Sequence, residues 1–246
     1  MGQKMKTKIQ ALNPIFAKMF GERHHETKIR VEDADPEEGT IYLYDAIGGW
    51  FGMDAKAFVQ ELMAMKQPTI HMRINSPGGD VFDARAIQAA IRTHSSRIVA
   101  HIDGLAASAA SFVALSASKV EMNRGAFLMI HNAQALCIGD CNDMTALADT
   151  LNKVDKSIVA DYAAKTGIDP DEIQAMMNQE TWLDCDDALA KGFCDCISED
   201  KKAENKFDLS VYAKVPEQLR AQKSDPGPVY DHAKMERRLK LVELGC

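Results

Sequence analysis

The chain has no surplus of basic charge. Its 246 residues carry 29 Lys and Arg against 36 Asp and Glu, a formal net charge of -7. Nothing is left over to neutralise phosphates, which argues against nucleic acid as the main partner. Long apolar runs are missing as well. No stretch approaches the roughly 20 residues that span a bilayer, so no membrane partner is expected. Lysines stand at 4, 6 and 8, but the segment from Ile9 to Phe20 is broken by Asn13, Pro14 and Lys18. It has neither the apolar core nor the cleavage site of a signal peptide, and the expectation is an intracellular, cytoplasmic protein. Cysteine is sparse: six residues, at 137, 141, 185, 194, 196 and 246. The pairs Cys137/Cys141 and Cys194/Cys196 lack the turn chemistry of a zinc knuckle on both sides, so reduced thiols and no metal are the favoured reading. There is no internal repeat and no low-complexity tract.

What is present is an ordinary globular composition, 46% hydrophobic and 26% charged, in a length that holds one large domain or two small ones. Residues 1 to about 30 read as a polar, basic arm with a short apolar patch at Ile9, Leu12, Ile15, Phe16 and Phe20. A loose terminus is preferred over a docking helix. Ile41 to Ile47 reads as a strand, followed by a helix from Asp54 with Phe58, Leu62 and Met65 on one face. Thr69 to Asn75 alternates apolar and polar, as a half-buried strand does, and runs into the glycine turn Ser76-Pro77-Gly78-Gly79. Asp80 caps a helix with Ala84, Ile87, Ala90 and Ile91 inward. Arg97 to Ile102 is a strand, and two short strands follow at 119–122 and 126–131. Strand, helix and strand in alternation imply right-handed crossovers and a mostly parallel sheet.

A long helix is expected over Asn142 to Lys165, with an apolar stripe of Met144, Leu147, Leu151, Val154, Ile158 and Tyr162 and a stop at Gly167. Asp169-Pro170 opens another helix. Thr181-Trp182-Leu183 precedes a short helix from Asp184, and Phe193 to Ile197 reads as the last strand. Beyond Ser198 the composition turns to Lys, Glu, Asp and Asn. The domain is therefore placed at 31–198, with a polar tail over 199–246 that ends in a short amphipathic segment at Met235, Leu239 and Val242.

The chemistry gathers on Gly104-Leu105-Ala106-Ala107-Ser108-Ala109-Ala110-Ser111. It reads as strand, tight glycine turn, and a buried helix whose first turn carries a serine. Helix-start N–H groups would stand beside the hydroxyl, where a tetrahedral intermediate forms next to its donors. On its own a serine here also fits a simple cap. Two further features bear on it. His131 ends an apolar strand, and Glu180 stands just before Trp182 as a carboxylate to orient an imidazole, with Asp184 and Asp186 as alternatives. Gly79 and Ala109 could offer N–H groups as an oxyanion hole at the carboxyl ends of neighbouring strands.

Ile74-Asn75-Ser76-Pro77-Gly78-Gly79, Gly104-x-Ala106-Ala107-Ser108 and Met129-Ile130-His131, in this order, resemble the ClpP-type (caseinolytic) serine peptidases. The variants Gly78-Gly79-Asp80-Val81-Phe82, Asp103 to Ser111 and Glu180-Thr181-Trp182-Leu183 look most like the ClpP-related head-maturation peptidases of tailed phages. The resemblance covers about residues 40–197. It implies an α/β, ClpP/crotonase-type fold of repeated ββα units with a long handle helix at 142–165, assembled as homo-oligomeric rings. It further implies Ser108 as nucleophile, His131 as general base and then acid, and Gly79 and Ala109 as oxyanion donors. The pattern has aspartate where this chain has Glu180, whose extra methylene moves the carboxylate by about a bond length. The function implied is a serine endopeptidase that needs no cofactor and acts on protein, with phage capsid or scaffold protein as substrate within assembling heads. A degradative ClpP-type peptidase fed by an ATP-driven unfoldase and a catalytically silent ring-forming scaffold are the other readings. A crotonase-type acyl-CoA enzyme shares the fold, but the pairing of Ser108 with His131 speaks against it.

Overall fold

A computed structural model describes residues 29–33, 35–48, 52–198, 207 and 209–219. The N-terminal arm up to residue 28 and the amphipathic segment at 235–242 lie outside the described residues.

The sheet is built from strands whose inward positions are apolar. In β3 (Thr69–Ser76), Ile70, Met72 and Ile74 are fully buried while His71 and Arg73 are half-buried on the other face, the period of two that a pleated strand imposes. β2 (Glu38–Leu43) and β4 (Arg97–Ala107) flank it, both parallel to it. β1 (Val31–Glu32) closes one edge antiparallel to β2. On the far side of β4 come β5 (Lys119–Asn123) and β8 (Cys196–Ser198), again parallel. The alternating helices α1 (Ala55–Ala64) and α2 (Val81–Thr93) start on Asp54 and Asp80, whose carboxylates accept from N–H groups two and three residues on. Crossovers of this kind bury one face of the sheet and give the parallel order expected.

The strand before Ser108 is longer than expected. Instead of ending at Ile102 in a glycine turn, β4 passes extended through Gly104 to Ala107. The reason is a change of partner. Residues 99–102 pair with β5, and residues 105–107 pair with β6 (Phe127–Ile130) on the same side. Pairing therefore holds the backbone straight until Ser108. Asp103, 3% exposed, sits where the partner changes. It accepts from Arg73 Nε at 2.8 Å and Asn123 Nδ2 at 3.0 Å, and from Tyr44, so its buried charge is compensated from several sides.

Other boundaries also move. The first strand of the core ends at Leu43, and Ile47 instead forms isolated bridges to Met53 and Gly79. Thr181 to Asp184 is itself a strand, β7, antiparallel to β6. The last strand begins at Cys196, with Phe193 and Cys194 buried ahead of it.

Helix α4 (Cys141–Thr166) starts on a capping box of Asp140 and Asp143 and stops at Gly167 in the left-handed conformation, φ 74°. Its apolar stripe is buried only in the C-terminal half, at Ile158, Val159 and Tyr162, whereas Met144 is 52% exposed. Two short helices follow it, α5 (Pro170–Asn178) and α6 (Cys185–Ala190).

The solvated tail expected from residue 199 gives way over 209–219. Leu209, Val215 and Leu219 are buried against Leu105, Ala107 and Met129, with Phe207, Tyr212 and Trp182 around them. Tail and domain thus share a second, smaller core. Among the described residues no helix is long and apolar enough to cross a membrane. The five described cysteines form no disulfide, and the described residues hold no cluster of three or more metal-ligating side chains.

Candidate active site

Ser108 sits at the break between β4 and the six-residue helix α3 (Ala109–Ala114), with φ 53° and ψ -125°. A non-glycine residue held there costs on the order of 1–3 kcal/mol, and such strain gathers where a side chain must be aimed. Here the strain turns the hydroxyl away from capping: the side chain makes no cap hydrogen bond. The serine is a cap by position only. Its Oγ lies 2.7 Å from His131 Nε2.

The strand pairing explains this approach. Ser108 N donates to the Met129 carbonyl at 2.9 Å, extending the β4–β6 ladder by one step, and His131 follows directly after β6. The hydroxyl and the imidazole are therefore carried on adjacent, mutually bonded chain segments. On the other side of β4 stands the glycine turn. A Cβ at Gly78 would lie 2.6 Å from the Ala107 carbonyl and 2.7 Å from Ser108 Cβ, and φ there is +92°. Only glycine lets the turn sit directly on the serine. Ser76 Oγ fixes the turn by donating to the Asp45 carbonyl at 2.6 Å and accepting from Gly78 N. In the bridge between Ile47 and Gly79, the Gly78 carbonyl and the Asp80 N–H face Ile47. The Gly79 N–H consequently points the other way, to the β4 side where Ser108 stands. Ala109 N opens α3, where helix N–H groups have no acceptor within the helix.

Glu180 occupies a second strained position, φ 52°. Its carboxylate does not hydrogen-bond His131. Instead Oε1 accepts from Trp182 Nε1 at 3.1 Å and Lys214 N at 2.6 Å, and Oε2 accepts from Ala213 N at 2.8 Å. The alternatives are engaged elsewhere: Asp184 caps α6, and Asp186 lies 3.8 Å from Arg124 on the surface.

A profile described as Clp protease matches residues 31–201. The chain belongs to the Clp protease family. It is 31% identical over 150 residues to the ATP-dependent Clp protease proteolytic subunit 2 of Treponema pallidum, covering 60% of this chain and 75% of that protein. To the proteolytic subunit 1 of Protochlamydia amoebophila it is 28% identical over 174 residues, covering 68% of this chain and 84% of the relative. A solved ClpP1 mutant from Listeria monocytogenes superposes with a TM-score of 0.59 at 22% identity, over 66% of this chain and 92% of the other. That likeness establishes the ClpP fold.

In this member of the Clp protease family, burial pushes the His131 pKa below the ordinary histidine value, and the charge of Glu180 opposes the shift. A neutral imidazole next to a serine hydroxyl can take its proton, and the nearby carboxylate favours the imidazolium that results. Of the three candidate carboxylates, Glu180 is the one whose charge acts on the ring. Two further side chains support the pair. Ser111 Oγ donates to the Ser108 carbonyl at 2.5 Å and meets the Tyr162 hydroxyl at 2.6 Å, so α4 supports the serine turn. Tyr212 stands edge-on to the His131 ring, centroids 5.4 Å apart. The local signal for it is the spacing of Leu209, Tyr212, Val215 and Leu219 just beyond a charged stretch.

Proposed function

We propose that the chain is a serine endopeptidase working through an acyl-enzyme, and that its substrates are phage capsid or scaffold proteins cut during head maturation in the host cytoplasm. The observation that carries the peptidase reading is the 2.7 Å approach of Ser108 Oγ to His131 Nε2. Ser108 attacks the scissile carbonyl while His131 takes its proton. The tetrahedral oxyanion is held by the N–H groups of Gly79 and Ala109. His131 then returns the proton to the leaving amine, and water repeats the sequence on the ester. Glu180 stabilises the imidazolium. No step calls for a metal or cofactor. The long helix, with its exposed N-terminal half, would be the surface on which subunits meet in a ring.

The head-maturation role is supported by the likeness of the three motifs to phage peptidases and by the 199–246 extension. The second reading, a degradative peptidase, has its own support, since the curated relatives are proteolytic subunits of ATP-dependent Clp proteases. One experiment tests the chemistry and one the role. A fluorophosphonate probe should label the wild type and leave Ser108→Ala untouched; equal labelling of both would end the serine mechanism. Capsid-scaffold processing should stop in folded Ser108→Ala. Normal processing there, together with co-purification of the wild type with an ATP-driven unfoldase, would favour the degradative reading instead.

A further inference from the structure

The segment 209–219 lies on the candidate site itself. Tyr212 donates its hydroxyl to the carbonyl of Pro77, in the glycine turn, and sets its ring against His131 and against Trp182 at 5.9 Å. Burial holds its pKa far above the ordinary tyrosine value, with Ser108 acting in the opposite sense. One residue on, the main chain of Ala213 and Lys214 takes up both oxygens of Glu180. Leu209, Val215 and Leu219 fill the apolar surface formed by Leu105, Ala107 and Met129 alongside. The imidazole, the glycine turn and the carboxylate of Glu180 are therefore all touched by one stretch of tail.

We propose that residues 209–219 are an intramolecular ligand of the active site, which must leave before a peptide substrate can bind the apolar surface they occupy. The proposal rests on the serine-peptidase reading above. Docked, the segment excludes a substrate carbonyl from the gap between Ser108 and the glycine turn, and it spends the carboxylate of Glu180 on main-chain N–H groups. Released, it frees Glu180 to turn to the imidazole and exposes a surface suited to apolar side chains of the incoming chain. Substrate and tail then compete for one site, and the observed rate is the intrinsic rate scaled by the open fraction.

The full-length chain provides the test, read as the rate at which a fluorophosphonate labels Ser108. Tyr212→Ala removes the cover, and Ala213→Pro removes one donor to Glu180 at an exposed position. Both variants should label about tenfold faster than the wild type. A synthetic peptide spanning Phe207 to Leu219, added to Tyr212→Ala, should slow its labelling again. If both variants label at the wild-type rate and the peptide has no effect, while Ser108→Ala stays unlabelled, the intramolecular ligand is overturned and the peptidase stands. If no chain labels, both readings fall together.

Discussion

Ser111 and Tyr162 join their hydroxyls at 2.6 Å in the interior, 51 positions apart in the chain. Ser111 spends its proton on the Ser108 carbonyl, so Tyr162 is the donor to Ser111. This relay fastens the long helix α4 to the backbone of the residue proposed as nucleophile. The helix proposed to meet other subunits and the turn proposed to be catalytic are thereby mechanically linked.

Tyr162→Phe tests that link. The ring stays and the hydroxyl goes, leaving Ser111 without its buried donor. One such bond is worth about 1 kcal/mol, which lowers the melting temperature by roughly 2–4 °C in a chain of this size. Positioning of Ser108 through its carbonyl predicts a further effect: kcat falls several-fold, to an extent on the order of a lost hydrogen bond, while KM is unchanged. Thermal unfolding and steady-state kinetics on a peptide substrate read the two effects separately. A stability loss with kcat intact would leave Tyr162 a packing residue only.

The protonation of His131 sets the acid side of activity. Burial lowers its pKa, so the neutral base persists below the ordinary value of about 6.5. The acid limb of kcat/KM should therefore have its midpoint below about 6.5. The stability consequence has a definite sign. The unfolded chain binds this proton more readily, so the contribution of His131 is fully present above about 6.5. It is lost as the pH falls from there through the folded value. Titration of the imidazole by NMR, beside a pH–rate profile, checks both. A midpoint at or above 6.5 would contradict the buried, neutral base.

Gly78→Ala should be among the most damaging single changes in the protein. The new Cβ would meet the Ala107 carbonyl at 2.6 Å and Ala109 N at 2.9 Å, both main chain, in a conformation with φ +92° that disfavours any side chain. Relief requires the glycine turn to withdraw from Ser108. Serine labelling should drop by about a hundredfold or more, equivalent to loss of an oxyanion donor, and stability should fall by about 1–3 kcal/mol. Gly125→Ala is the control: its φ of +87° carries the same backbone strain, but a Cβ there meets nothing within 4 Å. It should cost stability and spare labelling. If Gly78→Ala labels as the wild type does, the turn is not part of the site.

Much of this molecule is local, and what is local could be read in advance. The alternation of Ile70, Met72 and Ile74, the caps at Asp54, Asp80 and Asp169, and the proline that opens α5 are decided by neighbours a few residues away. The motifs around Gly78, Ser108 and His131 were legible for the same reason, since each lies in one short stretch at a strand end. Where partners are remote, the reading stopped short. Gly104 stays extended only because β6 takes over from β5 as the neighbour of β4, and no residue near Gly104 announces that exchange. Glu180 was recognisable as a carboxylate near the site, but its hydrogen bonds run to Ala213 and Lys214, more than thirty residues on.

The amino-acid order by itself determined the α/β class and the helix starts. Those follow from side-chain period, capping chemistry and the freedom of glycine, all short-range causes. Tertiary structure alone decided that the hydroxyl of Ser108 faces an imidazole rather than the helix it precedes, and that the tail returns to set Tyr212 against that imidazole. The reason is that the three-residue spacing of Leu209, Tyr212 and Val215 does not say which surface those side chains will meet. They acquire a place only from the surface that the folded domain offers them.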